Sequence, residues 1–202
     1  MYRRFGKRAF DIAISVVGLA VLAVPMLFFA VAIKIDSRGP VFFRQERIGI
    51  HKTCFNILKF RTMRTDAPPD IPTHLLEGPE RWITRIGGVL RKTSLDELPQ
   101  LVNILAGQMS VVGPRPALWN QFDLIEERDK YGANHIRPGL TGWAQVNGRD
   151  GLPISVKARY DGEYVEKMSF WFDVKCVFLT FGSVIRRDGV AEGARNQESM
   201  AR

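Results

Sequence analysis

The 202-residue chain holds two cysteines, Cys54 and Cys176, and three scattered histidines, His51, His74 and His135. So sparse a set excludes a disulfide-stapled scaffold and any Cys/His zinc spacing. Two free thiols in a reducing compartment are expected. No Walker run and no Gly-x-Gly-x-x-Gly fingerprint occurs, so neither standard nucleotide-phosphate loop is written into the chain. Charge is absent from residues 12 to 33. A gap of about 22 residues lets a helix cross a bilayer core, and it exceeds a signal-peptide apolar run. No Ala-x-Ala cleavage site followed by a polar mature start is evident. Acidic residues are also short, 21 against 29 basic, giving a net charge of +8 and a pI near 9.8. Such a surface wants anionic partners: nucleic acid, anionic lipid or phosphorylated substrates.

The length suits one domain with an anchor. The expected divisions are a membrane-anchoring helix over 1–36, a catalytic body over 37–187 and a polar, flexible tail over 188–202. Arg3, Arg4, Lys7 and Arg8 precede the uncharged run, and Lys34, Arg38 and Arg44 follow it. Cations at both ends give no inside–outside bias. They fit a re-entrant helix that enters and leaves on one face, broken at Pro25, where a backbone donor is lost. A kinked single span is the alternative.

Residues 41–45 and 54–60 read as two strands of a hairpin, with Gly49 in the turn. The second ends in Lys59-Phe60-Arg61-Thr62-Met63, where alternation puts Lys59 and Arg61 on one face. Residues 64–80 are proline-rich loop. A helix follows, from 80 or 81 to 90. Further helices are expected over 117–130 and 155–167. In Val112-Gly113-Pro114-Arg115-Pro116, two prolines fix the backbone around an arginine fork suited to phosphate oxygens. Three glycines and Trp143 in residues 136–149 form a shaped loop whose amides approach a ligand closely. Residues 170–185 place Phe170, Val174, Val177 and Phe181 along one helical face, opposite Asp173, Thr180 and Ser183. That face suits a membrane interface or a core.

The chain is organised around Thr93-Ser94-Leu95-Asp96-Glu97-Leu98-Pro99-Gln100. Ser94-x-x-Glu97 has capping-box spacing and places Asp96 in a first helical turn, where free amides favour an anion. An Asp-Glu pair there is ordinarily a cap. Its company changes the reading.

The ordered set of basic N-terminus, apolar run with central proline, Lys59-Phe60-Arg61-Thr62-Met63, Ser94-Leu95-Asp96-Glu97-Leu98-Pro99-Gln100, Val112-Gly113-Pro114-Arg115-Pro116 and Arg137-Pro138-Gly139-Leu140-Thr141-Gly142-Trp143-Ala144-Gln145-Val146-Asn147-Gly148-Arg149 resembles the bacterial sugar transferase family, the monotopic phosphoglycosyl transferases, in its short form. The likeness runs from about residue 2 to 188. It implies a mixed α/β, mostly helical fold with a re-entrant membrane helix, a small β-hairpin and interfacial amphipathic helices. It implies transfer of a phosphosugar from a UDP-sugar to polyprenol (undecaprenyl) phosphate, with UMP released. Magnesium and a covalent aspartyl phosphosugar are part of that expectation. So is a place on the cytoplasmic face of the inner membrane, at the start of surface glycan synthesis. Asp96 is the expected nucleophile and Glu97 its partner, both at the metal. Lys59, Arg61, Arg91, Arg115, Arg137 and Arg149 are the expected substrate-binding cations. The chain departs from some relatives at Val24, before the membrane proline, and at Asp150, after Arg149.

Two other classes compete. A membrane-tethered nucleic-acid binder explains the +8 charge but leaves the acidic pair without a task, and no nucleic-acid module is visible. A scaffold explains the anchor and predicts that Asp96→Asn changes only stability. The sugar and the oligomeric state are not written in these residues.

Overall fold

The computed structural model describes residues 2–68, 78–148 and 151–186. Arg149, Asp150, the central part of the proline-rich loop and the tail from 187 onward lie outside the described residues. One π-helical turn, Tyr2–Gly6, leads into α1, Lys7–Asp36. β1, Phe42–Ile48, and β2, Cys54–Phe60, form an antiparallel hairpin pairing Phe42 with Phe60 and Ile48 with Cys54. α2, Arg85–Lys92, and α3, Gln100–Leu105, flank a single 3₁₀ turn, Leu95–Glu97. β3, Ser110–Val112, pairs in parallel with β4, Gly139–Thr141. α4, Phe122–Asp129, α5, Trp143–Val146, α6, Ile154–Lys167, and α7, Phe170–Arg186, complete the body. The mostly helical α/β expectation holds. The glycine-rich run is not all loop, because β4 and α5 lie inside it. The helix expected from 117 starts only at Phe122, because Ala117 and Leu118 pair with the hairpin edge at Ile48 and Arg47.

One apolar core joins Phe55 and Ile57 of β2 to Leu101 and Ile104 of α3, Val111 and Val112 of β3, Tyr164 and Cys176. A second sits under the end of α1, where Ile33 meets Phe60 and Leu90. Each such side chain contributes about 1.5–3 kcal/mol by leaving water. Cys54 and Cys176 are both free thiols.

α1 is helical through Pro25. The expected break is not there. Proline removes one backbone bond of the ladder, but the body grips the helix on both sides of it. At the start, Lys7 Nζ lies 2.8 Å from the buried Asp173 carboxylate, and Asp11 accepts from Ser110 Oγ and Val111 N, each at 2.9 Å. At the end, Asp36 accepts from Ile86 N at 3.0 Å and Ile33 is buried. α1 therefore runs along the body, with both ends on it. Its other face is apolar and open: Val24 is 77% exposed, and Val17, Val21, Leu27 and Phe28 are exposed beside it.

Two flanking cations, read from sequence as topology signals, serve inside the protein. Arg3 donates to the carbonyls of Val165 and Glu166, and Arg8 to those of Ile104 and Leu105. Each caps the carbonyl end of a helix, α6 and α3 respectively, where cations are favoured. α7 turns its faces the opposite way to a soluble core helix. Asp173, Cys176 and Ser183 are buried, whereas Trp171, Phe178 and Phe181 are exposed.

Candidate active site

The acidic pair sits on the 3₁₀ turn between α2 and α3. α2 closes at Thr93, and Ser94 then takes a left-handed conformation, φ 57°. A non-glycine residue there carries about 1–3 kcal/mol of strain. The expected capping box does not form. The left-handed turn leaves Ser94 with no side-chain cap bond, and Glu97 N bonds to the Ser94 carbonyl at 3.3 Å. Pro99 precedes α3, so its missing donor breaks no helical bond.

Freed from capping, Glu97 turns to two cations. Lys59 Nζ donates to its Oε1 at 2.8 Å, and Arg115 Nη2 donates to the same oxygen at 2.9 Å. The Lys59 pair is largely shielded, with Glu97 and Lys59 side chains 15% and 14% exposed, whereas Arg115 is 35% exposed. Burial pushes Glu97 up, but Arg115 and Lys59 outweigh it and hold its carboxyl well below the usual range. Burial lowers Lys59, against the pull of Glu97. Asp96 goes the other way. Burial and the neighbouring Glu97 charge raise it to about 6, against Lys59, Arg91 and Arg115. Two adjacent carboxylates are thus driven to opposite protonation behaviour, the pattern that separates roles at a reacting site.

Asp96, Glu97, Lys59, Arg91 and Arg115 line one cleft of about 890 Å³. Ile14, Gly18 and Leu22 of α1 border it too, so the polar centre opens toward the apolar helix. Arg61 reaches the same cleft wall, but its guanidinium donates to the carbonyls of Ser37 and Arg38 and to Ser37 Oγ. Arg137 sits elsewhere, its Nε on the Gly107 carbonyl at 2.7 Å. Arg149 lies outside the described residues. Four of the eight expected residues therefore cluster with Asp96, namely Glu97, Lys59, Arg91 and Arg115.

Arg128 also lines the cleft, and sequence reasoning passed over it. It is buried against Asp161, with Nε and Nη2 at 2.8 and 2.7 Å from Oδ2. The run Glu126-Glu127-Arg128-Asp129 reads as a solvated helix face, and only the packing of α4 on α6 singles Arg128 out. Among the described residues no group of three His, Cys, Asp or Glu side chains is placed to hold a metal. Asp96 and Glu97 suit instead a hard cation that takes one or two protein carboxylates and completes its shell with substrate oxygens.

The family model described as bacterial sugar transferase matches residues 2–187. An undecaprenyl-phosphate glucose phosphotransferase of Komagataeibacter xylinus is 43% identical over 185 residues, covering 86% of this chain and 35% of that protein. A UDP-N-acetylgalactosamine-undecaprenyl-phosphate N-acetylgalactosaminephosphotransferase of Aeromonas hydrophila is 39% identical over 188 residues, covering 90% of this chain and 44% of that protein. The chain thus spans less than half the length of these two relatives. It spans 96% of the exopolysaccharide production protein PSS of Rhizobium leguminosarum bv. phaseoli, at 43% identity over 191 residues and 90% of this chain. The chain belongs to the bacterial sugar transferase family.

Proposed function

We propose that this protein transfers a phosphosugar from a UDP-sugar to a polyprenol phosphate, undecaprenyl phosphate by analogy with its relatives, and releases UMP. The carrying observation is the half-buried Asp96-Glu97 pair, polarised in opposite directions and ringed by Lys59, Arg91 and Arg115 in a cleft that opens onto an apolar helix. The Komagataeibacter xylinus relative is a glucose phosphotransferase and the Aeromonas hydrophila one an N-acetylgalactosaminephosphotransferase, so the family alone does not choose the sugar.

In the first half-reaction an Asp96 oxygen attacks the phosphorus that bears the sugar. A carboxylate–phosphorus bond forms, the bond to the bridging oxygen breaks, and UMP leaves with that oxygen and its electron pair. In the second, a polyprenol phosphate oxygen attacks the same phosphorus and returns Asp96 as carboxylate. Atoms and charge balance with no outside reactant. A diphosphate repels an anionic nucleophile, so the transfer needs fixed positive charge. Lys59, Arg91 and Arg115 supply it. Glu97 holds Lys59 and Arg115 in place and keeps the pair from neutralising Asp96 by direct contact. Magnesium is the proposed cofactor, and Asp96 and Glu97 would hold it together with substrate phosphate oxygens. When bound it neutralises developing charge on the leaving phosphate.

Location follows from the same features. α1 and the exposed aromatic side of α7 present apolar surface, and the site opens beside α1. A polyprenol phosphate keeps its tail in lipid and its head at the interface. We place the body on the cytoplasmic face of the inner membrane with α1 embedded from one side, at the step that initiates surface glycan synthesis. Release of UMP from a panel of UDP-sugars, dependent on polyprenol phosphate and lost in Asp96→Asn, tests the reading. Specific membrane or nucleic-acid binding without turnover would return the protein to the tether and scaffold classes.

A further inference from the structure

Sequence alternation places Arg61 on one strand face with Lys59, and the family resemblance makes it an expected substrate-binding cation. Its position in the fold says otherwise. Arg61 is 4% exposed, and its guanidinium donates to Ser37 O and Ser37 Oγ at 2.8 and 2.9 Å and to Arg38 O. Those acceptors belong to Ser37, the C-cap residue of α1, and to Arg38 after it. One residue earlier, Asp36 accepts from Ile86 N at the start of α2. One residue after Arg61, the Thr62 carbonyl accepts from Thr84 N at 3.0 Å, and Thr84 Oγ1 caps α2 through Gly87 N. Three chain segments therefore meet at one joint: the end of α1, the exit of β2 and the start of α2.

Two arms of that joint carry site cations. Lys59 stands two residues before Arg61, and Arg91 stands on α2. Gly39 completes the joint from a fourth direction. Its φ is +122°, and a Cβ there would overlap the Arg61 guanidinium and the Thr65 methyl. The glycine is required both by its backbone and by the arginine.

We propose that Arg61 is a positioning residue: it bolts the end of the apolar helix α1 to β2 and so sets Lys59 against Glu97, without touching the donor itself. The inference deepens the proposed transferase reading and rests on it for its kinetic arm only. A displaced Lys59 leaves Glu97 and the phosphate charge poorly compensated. Misplacement by about 1 Å costs on the order of 10²-fold in rate. The loss falls on kcat, because a group used mainly in the transition state is the one disturbed.

The test uses the full chain in detergent, as wild type, Arg61→Gln and Gly39→Ala. Gly39→Ala leaves Arg61 intact in sequence and pushes on its guanidinium, so it checks the joint independently. First, lysines are acylated with a small amine reagent and mapped by peptide mass. Lys59, shielded by Glu97, gains reactivity in both variants, with exposed Lys92 as reference. Lys7, held by Asp173 on the opposite end of α1, stays protected. Second, UMP release is measured. Both variants lose kcat roughly tenfold or more, KM for the UDP-sugar holds, and Arg61→Gln adds little in a Lys59→Met background. Unchanged Lys59 labelling in both variants overturns the proposal. So does labelling that rises equally at Lys7, which makes Arg61 a global stabiliser, or a raised KM with kcat intact, which makes it a donor ligand. Wild-type protein that releases no UMP sinks the transferase reading instead, while the labelling still decides the role of Arg61.

Discussion

Lys59 and Arg115 donate to one and the same oxygen of Glu97, at 2.8 and 2.9 Å. One carboxylate thus gathers two cations from distant parts of the chain, a hairpin strand and a proline-locked turn. Asp96, its sequence neighbour, is left with the opposite electrostatic lot. The stability of the site follows from this asymmetry.

Glu97→Gln takes the anion from one shielded cation, Lys59, and from the partly exposed Arg115, which destabilises the fold by about 1–3 kcal/mol. Asp96→Asn removes a carboxylate whose charged form is disfavoured, which stabilises it by about 1–2 kcal/mol while abolishing activity. Denaturant melts of the two variants against wild type check the opposite signs. A destabilised Asp96→Asn contradicts the burial argument.

The same asymmetry has a pH window. Asp96 is raised from 3.8 to about 6. Its ionisation therefore subtracts nothing from stability below pH 3.8, subtracts progressively up to about 6, and subtracts its full share above. The stability gained by Asp96→Asn should grow across that window and then stay flat. Glu97 is depressed, so its share of stability is present above its ordinary value of 4.5 and is lost as pH falls below that. Melts of both variants between pH 2 and 8 read the two trends.

Catalysis has its own acid limb. The nucleophile must be ionised, and the single-turnover rate of UMP release should fall as pH drops through about 6, with a slope of one proton. A limb at the ordinary carboxylate value places Asp96 in water and not in the shielded site.

Arg115→Lys keeps the charge and loses the fork between Pro114 and Pro116. An ammonium on a flexible stem does not replace a guanidinium set by a rigid turn. We expect roughly 10- to 10²-fold less kcat/KM, with the melt shifted far less than in Glu97→Gln.

α7 predicts a purely membrane phenotype. Trp171, Phe178 and Phe181 are exposed on one helix. Changing all three to Ser removes apolar area from the surface proposed to face lipid without opening a core. Sedimentation with anionic vesicles should weaken at least tenfold, since each buried aromatic is worth about 1.5–3 kcal/mol, and the melt in detergent should hold. Unchanged vesicle binding assigns those rings to another partner.

Local patterns carried much of this fold. The hairpin, α6 and α7 are visible as alternation, helical spacing and turn residues, and the acidic pair stands out through its neighbours. Three things escaped, each for a physical reason. Ser94 takes a left-handed conformation that capping-box spacing does not encode. Arg61 lies on the expected face, but the end of α1 arrives there from about 25 residues away in sequence and occupies its donors. The polar stripe of α7 is buried because Tyr2, Lys7 and Tyr164 all reach Asp173, a meeting of segments no local window contains.

The central claim is that Asp96 becomes covalently phosphorylated by the donor. Intact mass of the purified protein after UDP-sugar and magnesium, with no polyprenol phosphate, tests it directly. The account predicts an increment equal to one phosphosugar, absent in Asp96→Asn and without magnesium, and discharged when polyprenol phosphate is added. Polyprenol-dependent UMP release with no increment on rapid quench, or an increment that persists in Asp96→Asn, would contradict it.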